Sequence, residues 1–318
     1  MEKRLKELLL IALRYHVTDI HFTMHDKTKN ELVIEMRVGN EIKRLKKSFV
    51  DDKLINYLMY KADLDISRVF EPQTGSFDIS IGAQTINLRF ATIVNHAMFN
   101  GVLRILNNHL NITISDLSDD EDVVDWMKHI ITLKEGLVVF SGPTGSGKTT
   151  TLYTLLSACE NKKIFTLEDP IEVYNDSFVQ LQINEKSNFT YAAGIKQLMR
   201  HDPDIVMVGE IRDDIAAKMA VRCALTGHLV LTSIHSANCL STIERFVDLG
   251  VPKHQLKEVL KGISSQRLLK NKDGERKSIY EFMDEKELEY YFHENKHQSE
   301  FIDIQKRYSF ACNRGWEA

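Results

Sequence analysis

A chain of 318 residues is long enough for about two domains, and 43% hydrophobic content with five prolines favours packed cores over disorder. A net charge of −4 supplies no global basic field for gripping DNA, and the longest apolar run, Leu8-Leu9-Leu10-Ile11-Ala12-Leu13, falls far short of the ~20 residues that cross a bilayer. The four cysteines, Cys159, Cys223, Cys239 and Cys312, form no C-x-x-C pair and read as reduced, mostly buried thiols, which with no signal-peptide pattern gives the expectation of a cytoplasmic protein.

Apolar periodicity predicts an amphipathic helix over 5–15, strands near 18–23, 31–38 and 41–46, a helix near 52–63, and strands at 76–81, 84–94 and 101–106. That is an α+β domain over residues 1–110. The basic run Lys43-Arg44-Leu45-Lys46-Lys47 reads as the solvated face of a strand, so direct contact with nucleic acid is not expected. Residues 107–120 are polar and turn-rich and mark a linker, beyond which strands alternate with helices as a mostly parallel sheet requires. The second domain, 111–318, is therefore α/β.

Its first strand, Leu137-Val138-Val139-Phe140, runs into Ser141-Gly142-Pro143-Thr144-Gly145-Ser146-Gly147-Lys148-Thr149-Thr150, a match to G-x-x-x-x-G-K-[ST] placed between strand and helix. Glycines at 142, 145 and 147 let the backbone curl and aim N–H groups at phosphate oxygens. Lys148 adds a point charge for the β- and γ-phosphates, Thr149 offers a hydroxyl to Mg²⁺, and the helix towards Cys159 turns its positive end to the anion. A nucleoside triphosphate with Mg²⁺ is the expected ligand, held by residues 142–150.

Phosphoryl transfer also requires carboxylates on neighbouring strands. Ile164-Phe165-Thr166-Leu167 delivers Glu168, and Ile205-Val206-Met207-Val208-Gly209 delivers Glu210, the second a candidate Mg²⁺ partner, directly or through water. Both sit where open α/β sheets place ligands. A further strand, 229–234, is flanked by His228 and His235, and His235 is the better candidate for sensing a γ-phosphate. The last ~65 residues are expected to be helical, with Leu256, Val259, Leu260 and Ile263 at helix spacing. Within them His293-Glu294-Asn295-Lys296-His297 matches the H-E-x-x-H of zinc proteases, but 21 residues follow it, too few for a protease subdomain, so a solvated helical tail without zinc is expected.

These motifs carry a family likeness. The sequence resembles the secretion ATPases of type II secretion, type IV pili and DNA-uptake pseudopili, through GPTGSGKTTTLY at 142–153, TLEDPIE at 166–172, LMRHDPDIVMVGEIRD at 198–213 and TGHLVLTSIHSANCLSTIERFVDLGV at 226–251. Thr18-Asp19-Ile20-His21, Pro72-Gln73-Thr74-Gly75, Ser265-Gln266-Arg267-Leu268 and Ser278-Ile279-Tyr280-Glu281 extend the likeness over nearly the whole chain. The resemblance implies a RecA-like P-loop domain behind a smaller PAS-like α+β domain, with ATP as the nucleotide held between them, and a homo-hexamer. It also implies a membrane platform protein as partner, so that the ring lies at the inner face of the cell membrane only through that partner. Arg89 and Arg104 match arginines that the family's smaller domain sets against the γ-phosphate; Arg37 is a weaker match. Glu168 and Glu210 divide water activation and Mg²⁺ positioning, and the sequence leaves open which does which.

Departures narrow the branch. After the Q-R-L segment the chain runs into Leu269-Lys270-Asn271-Lys272-Asp273-Gly274, where many relatives carry paired zinc cysteines, and Ile215 stands where the family has a glutamate. A short form without the zinc segment suits competence ATPases and pilus retraction motors. Thr151-Leu152-Tyr153 and Phe246-Val247-Asp248-Leu249-Gly250-Val251 resemble the assembly branch, which favours a competence pseudopilus ATPase, with retraction second. A RecA-like nucleic-acid motor and a nucleotide-dependent scaffold are the rivals from other classes.

Overall fold

The computed structural model describes residues 1–15, 17–25, 32–38, 41–46, 51–82, 84–95, 98–106, 112–184, 187–270, 276–294 and 303–312. Two units divide the chain: Met1–His109 with Glu172–Tyr174, and Leu110–Ile171 with Asn175–Ala318.

In the first unit α1 (Glu2–Arg14) buries Leu5, Leu8, Leu9 and Ala12, a single apolar stripe at helical spacing. The strands β1 (Asp19–His25), β2 (Leu32–Val38) and β3 (Glu41–Arg44) precede α2 (Leu54–Lys61), and β4 (Gln73–Ile81), β5 (Gln84–Asn95) and β6 (Met98–Ile105) follow it. They form one antiparallel sheet in the order β3-β2-β1-β6-β5-β4. Alternation decides its inner face. Ile20 and Phe22, Leu32, Ile34 and Met36, and Ile86, Leu88 and Phe90 are buried at every second position and share a core with α1 and α2. The fully buried Asp51 accepts from Arg4 Nε at 2.9 Å, tying α1 to the segment that leads into α2. The basic run behaves as the sequence suggests where it is described, since β3 is exposed along its whole length; Lys47 lies outside the described residues.

The second unit begins with a short α3 (Ile114–Leu117) and α4 (Glu121–Ile130), then β7 (Gly136–Ser141), α5 (Lys148–Ser157), β8 (Ile164–Glu168) and β9 (Val179–Gln182). It continues through α6 (Tyr191–Leu198), β10 (Ile205–Ile211), α7 (Asp214–Leu225), β11 (Leu229–Ile234), α8 (Cys239–Asp248) and α9 (Lys253–Val259). It ends with β12 (Leu260–Lys270), β13 (Arg276–Met283), α10 (Glu285–Glu294) and α11 (Ile304–Cys312). Seven strands run β13-β12-β7-β11-β10-β8-β9, parallel except for β13 against β12. Every residue of β7, β8 and β11 is buried, the signature of strands covered on both faces by helices.

The C-terminal expectation fails in an informative way. Helix ends at Val259, and Leu260 opens an eleven-residue strand, so the four apolar positions read as one helix face belong to two elements. The open edge of β7 decides the matter, because pairing with it satisfies a run of backbone groups that a helix would leave to itself. Gly262 fits the same reading: a Cβ there would lie 2.9 Å from the Trp126 ring, so β12 runs close under α4. Of the H-E-x-x-H, His293 and Glu294 lie at the end of α10, and His297 lies outside the described residues.

Candidate active site

The phosphate loop is built at the end of β7. Gly142, Gly145 and Gly147 take positive φ of 145°, 79° and 90°, conformations that a side chain resists. A Cβ on Gly142 would also lie 2.5 Å from the Gln266 carbonyl oxygen and 2.7 Å from Ser146 Oγ, so glycine is required there twice over. Lys148 opens α5 and is buried, with Nζ donating to the carbonyls of Gly142 at 2.9 Å and Pro143 at 3.1 Å. Pro143, Thr144 and Gly145 are exposed at the rim, Thr149 is half-buried and Thr150 points outward. Ser141 Oγ and Ser146 Oγ are buried and have no hydrogen-bond partner among the described residues. Loop glycines, orphaned hydroxyls and a helix N-terminus together fit the phosphate groups of a nucleotide.

The strand registers set the remaining candidates along the same edge. Ser141 pairs with Ile234, which brings His235 level with Gly142, and Leu167 pairs with Val208, which brings Glu168 level with Gly209. At about 5 Å per strand, Glu210 lies two strands, roughly 10 Å, from the loop, and Glu168 three strands, roughly 14 Å. Register slips between Val208 and Ile211, a bulge that re-aims Glu210. Glu210 Oε1 meets His235 Nε2 at 2.7 Å, and its Oε2 accepts from Arg212 Nε at 2.8 Å and from a second Arg212 nitrogen at 2.7 Å. That hydrogen bond raises the Arg212 guanidinium above its ordinary range, and Arg212 also reaches Asp169 at 3.4 Å. Burial first, and then the Asp169 charge, hold the neighbouring Tyr191 phenol well above its usual value.

Glu168 is in a different situation. It is 4% exposed and accepts from Tyr153 Oη at 2.7 and 2.9 Å and from Thr166 Oγ1 at 2.6 Å. Gln180 Nε2 donates to the same Tyr153 oxygen at 2.7 Å. Gly209 makes the approach possible, since a Cβ there would lie 3.2 Å from Glu168 Cγ. The carboxylate at the end of β8 is thus fixed by the helix that begins at Lys148, whereas Glu210, with 20% of its side chain exposed, can meet water.

Structure brings Glu210 and His235 into contact and puts Glu168 on the same edge. His228 is at the other end of β11, 3.2 Å from Thr226 Oγ1, away from this chemistry. Arg89 and Arg104 belong to the first unit, directly opposite each other on β5 and β6, on the face away from the core. Arg104 is more than half exposed and donates to Asp19 at 2.7 Å. Sequence reasoning missed Tyr153, Thr166 and Gln180 as the cage of Glu168, and Arg212 and Asp169 as partners of Glu210. Tyr153 lies in the phosphate-loop motif and Thr166, Asp169 and Arg212 in the two carboxylate motifs, so the signal was there; Gln180 carried none.

The family model for type II/IV secretion system proteins matches residues 1–310. The chain belongs to this family. As a secretion ATPase it shares 36% identity over 273 residues with the competence protein ComGA of Halalkalibacterium halodurans, spanning 84% of this chain and 78% of that one. With ComGA of Bacillus subtilis it shares 34% over 278 residues, 85% and 76% of the two chains. The putative type II secretion system protein E of Escherichia coli is 34% identical over 83% of this chain, which spans 54% of that protein's length. Among solved structures, the pilus retraction motor PilT with bound ADP superposes with a TM-score of 0.75 at 26% identity, covering 96% of this chain and 88% of PilT. The ATPase DotB of Legionella pneumophila, at 20% identity and a TM-score of 0.72 over 93% of this chain and 84% of its own, shares the fold. This secretion ATPase therefore uses nucleotide and hydrolyses ATP.

Proposed function

We propose that this ATPase is the motor that assembles a competence pseudopilus, a type IV pilus-like filament used in DNA uptake. The observation that carries the reading is the similarity to two competence proteins over more than three quarters of both chains. Residues 142–150 would hold the phosphates, and Thr149 with Glu210, directly or through water, would hold Mg²⁺, which would supply neutralisation of phosphate charge. Glu168 and Glu210 divide water activation and Mg²⁺ positioning: Glu210, with 20% of its side chain exposed and paired with His235, can meet water, and Glu168 is held in one orientation by Tyr153 and Thr166. Arg89 and Arg104 neutralise the transferred charge. The motor is a cytoplasmic homo-hexamer that reaches the membrane through a platform protein, without direct nucleic-acid contact. No helix among the described residues is long and apolar enough to span a bilayer.

A strain carrying Glu210→Gln tests the cellular reading. It should lose surface pilin filaments and uptake of external DNA while growing normally. The likeness to PilT favours a second reading, retraction, and predicts the opposite outcome of excess, persistent filaments.

A further inference from the structure

Three consecutive residues of β12 reach both nucleotide-facing loops of the sheet. Alternation along the strand sends Gln266 to one face and Ser265 and Arg267 to the other. On the first face Gln266 is fully buried, and its Nε2 donates to the Ser146 carbonyl, inside the phosphate loop, at 2.7 Å. The Gln266 carbonyl oxygen and Nε2 also wall the positions of Gly142 and Gly147, at 2.5 and 3.2 Å from a Cβ built there. Its register partner on β13, Tyr280, meets Thr151 of α5 at 3.0 Å. Among the described residues Gln266 Oε1 has no hydrogen-bond partner, and the amide's Nε2 bond is the one made to the loop.

The second face grips the segment after β11. Ser265 Oγ donates to the Ala237 carbonyl at 3.3 Å and an Arg267 nitrogen donates to the same oxygen at 2.7 Å, two residues beyond His235. Another Arg267 nitrogen donates to the Gln266 carbonyl at 2.9 Å. Glu281, the register partner of Ser265, is fully buried and accepts at 2.6 Å from the backbone N–H of Cys239, the first residue of α8. None of these contacts is needed to hold β12 in the sheet, because its ladders with β7 and β13 already do that.

We propose that Gln266 is a positioning residue for the phosphate loop, and that Ser265 and Arg267 couple that loop through β12 to the His235 segment. The inference rests on residues 142–150 being the nucleotide site. Phosphates that draw the loop into its bound shape act on the Ser146 carbonyl, on Gln266, and from there through Ser265 and Arg267 on the Ala237 carbonyl.

The test uses the full chain with Gln266→Met, Arg267→Met and, as a control, Lys148→Ala. Binding of a fluorescent ADP analogue, steady-state ATP hydrolysis and thermal melting are measured on each. Methionine keeps the length of glutamine and leaves the Ser146 carbonyl without its donor, so Gln266→Met should weaken ADP about tenfold and lower the melting temperature by a few degrees, leaving the chain folded at the assay temperature. Arg267→Met should hold ADP affinity within about twofold and lower kcat severalfold, a split that loss of structure alone does not give. Hydrogen exchange on the unaltered protein is the measurement that needs no variant to fold: ADP should protect the amides of 146–148 and of 236–239 together. Wild-type ADP affinity in Gln266→Met, or protection confined to 146–148, overturns the proposal. Wild-type affinity in Lys148→Ala instead overturns the nucleotide site on which it rests.

Discussion

Tyr153→Phe removes a single oxygen from the wall around Glu168. The ring stays, with its contact to Phe178 at 5.9 Å between centroids, so no cavity opens and the whole effect belongs to the hydroxyl. That hydroxyl donates to both carboxylate oxygens at 2.7 and 2.9 Å and accepts from Gln180 at 2.7 Å. Tyr153 and Glu168 are both under 10% exposed, so water does not replace the bond between them. A hydrogen bond to a charged group contributes about 1.5–3 kcal/mol, and Thr166 still holds Oε1, so a loss of about 2 kcal/mol is expected. For a unit of this size that is a fall of roughly 4–8 °C in melting temperature. Released from one side, the carboxylate no longer has a single orientation, and turnover should fall about tenfold while ADP affinity holds. Differential scanning fluorimetry, phosphate release and ADP titration on one preparation separate the terms. An unchanged melting temperature would refute the energetic argument. A lowered melting temperature with wild-type turnover would show that Glu168 is a structural carboxylate.

Lys148→Ala should abolish phosphate release; the lysine is buried rather than exposed as its loop position suggests, yet its bonds go to two loop carbonyls, so helical circular dichroism should persist. Arg89→Ala and Arg104→Ala should each lower turnover far more than nucleotide affinity, and normal turnover in either reduces that arginine to a sheet-face residue. Burial pushes the Cys159 thiol up to about 11 and the Cys223 thiol up to about 12. Folded protein therefore binds these protons more tightly than the unfolded chain, whose thiols titrate near 9. Their contribution to stability is full below pH 9 and is lost as pH rises towards 11–12. Denaturant melts at pH 8 and 10.5 should show that decline, and iodoacetamide at pH 8 should label both thiols faster in urea than in buffer.

Strands β7, β8, β10 and β11 were legible because each is a short, mostly apolar run leading into a polar functional segment, as in Ile205 to Glu210. In the first unit alternation along β5 did the same work, with Ile86, Leu88 and Phe90 inward. Strands β12 and β13 were not legible. Ser264, Ser265 and Gln266 are buried yet polar, each hydrogen-bonded to a partner distant in sequence, so local pattern carried no sign of a core strand. β9 is four residues at the sheet edge, too short for alternation to show. The site divides in the same way. Glycine spacing and strand-end carboxylates named Lys148, Glu168, Glu210 and His235, because those features are local. The tyrosine cage and the Arg212 to Asp169 contact depend on which strands lie side by side.

The pairing of β7 with β12 also bears on how the protein is made. Residues 136–141 leave the ribosome more than a hundred residues before their partner at 260–270. Until then one edge of the central strand is bare, and the loop that follows it lacks Gln266 beneath it. A contact so distant in sequence forms late and slowly. The half-made sheet meanwhile presents an apolar edge that other chains can pair with. The first unit, whose strands all precede residue 110, has no such debt and can fold while the rest is still being synthesised. In cells short of chaperones, aggregates should therefore be seeded by the second unit, through β7, rather than by the first.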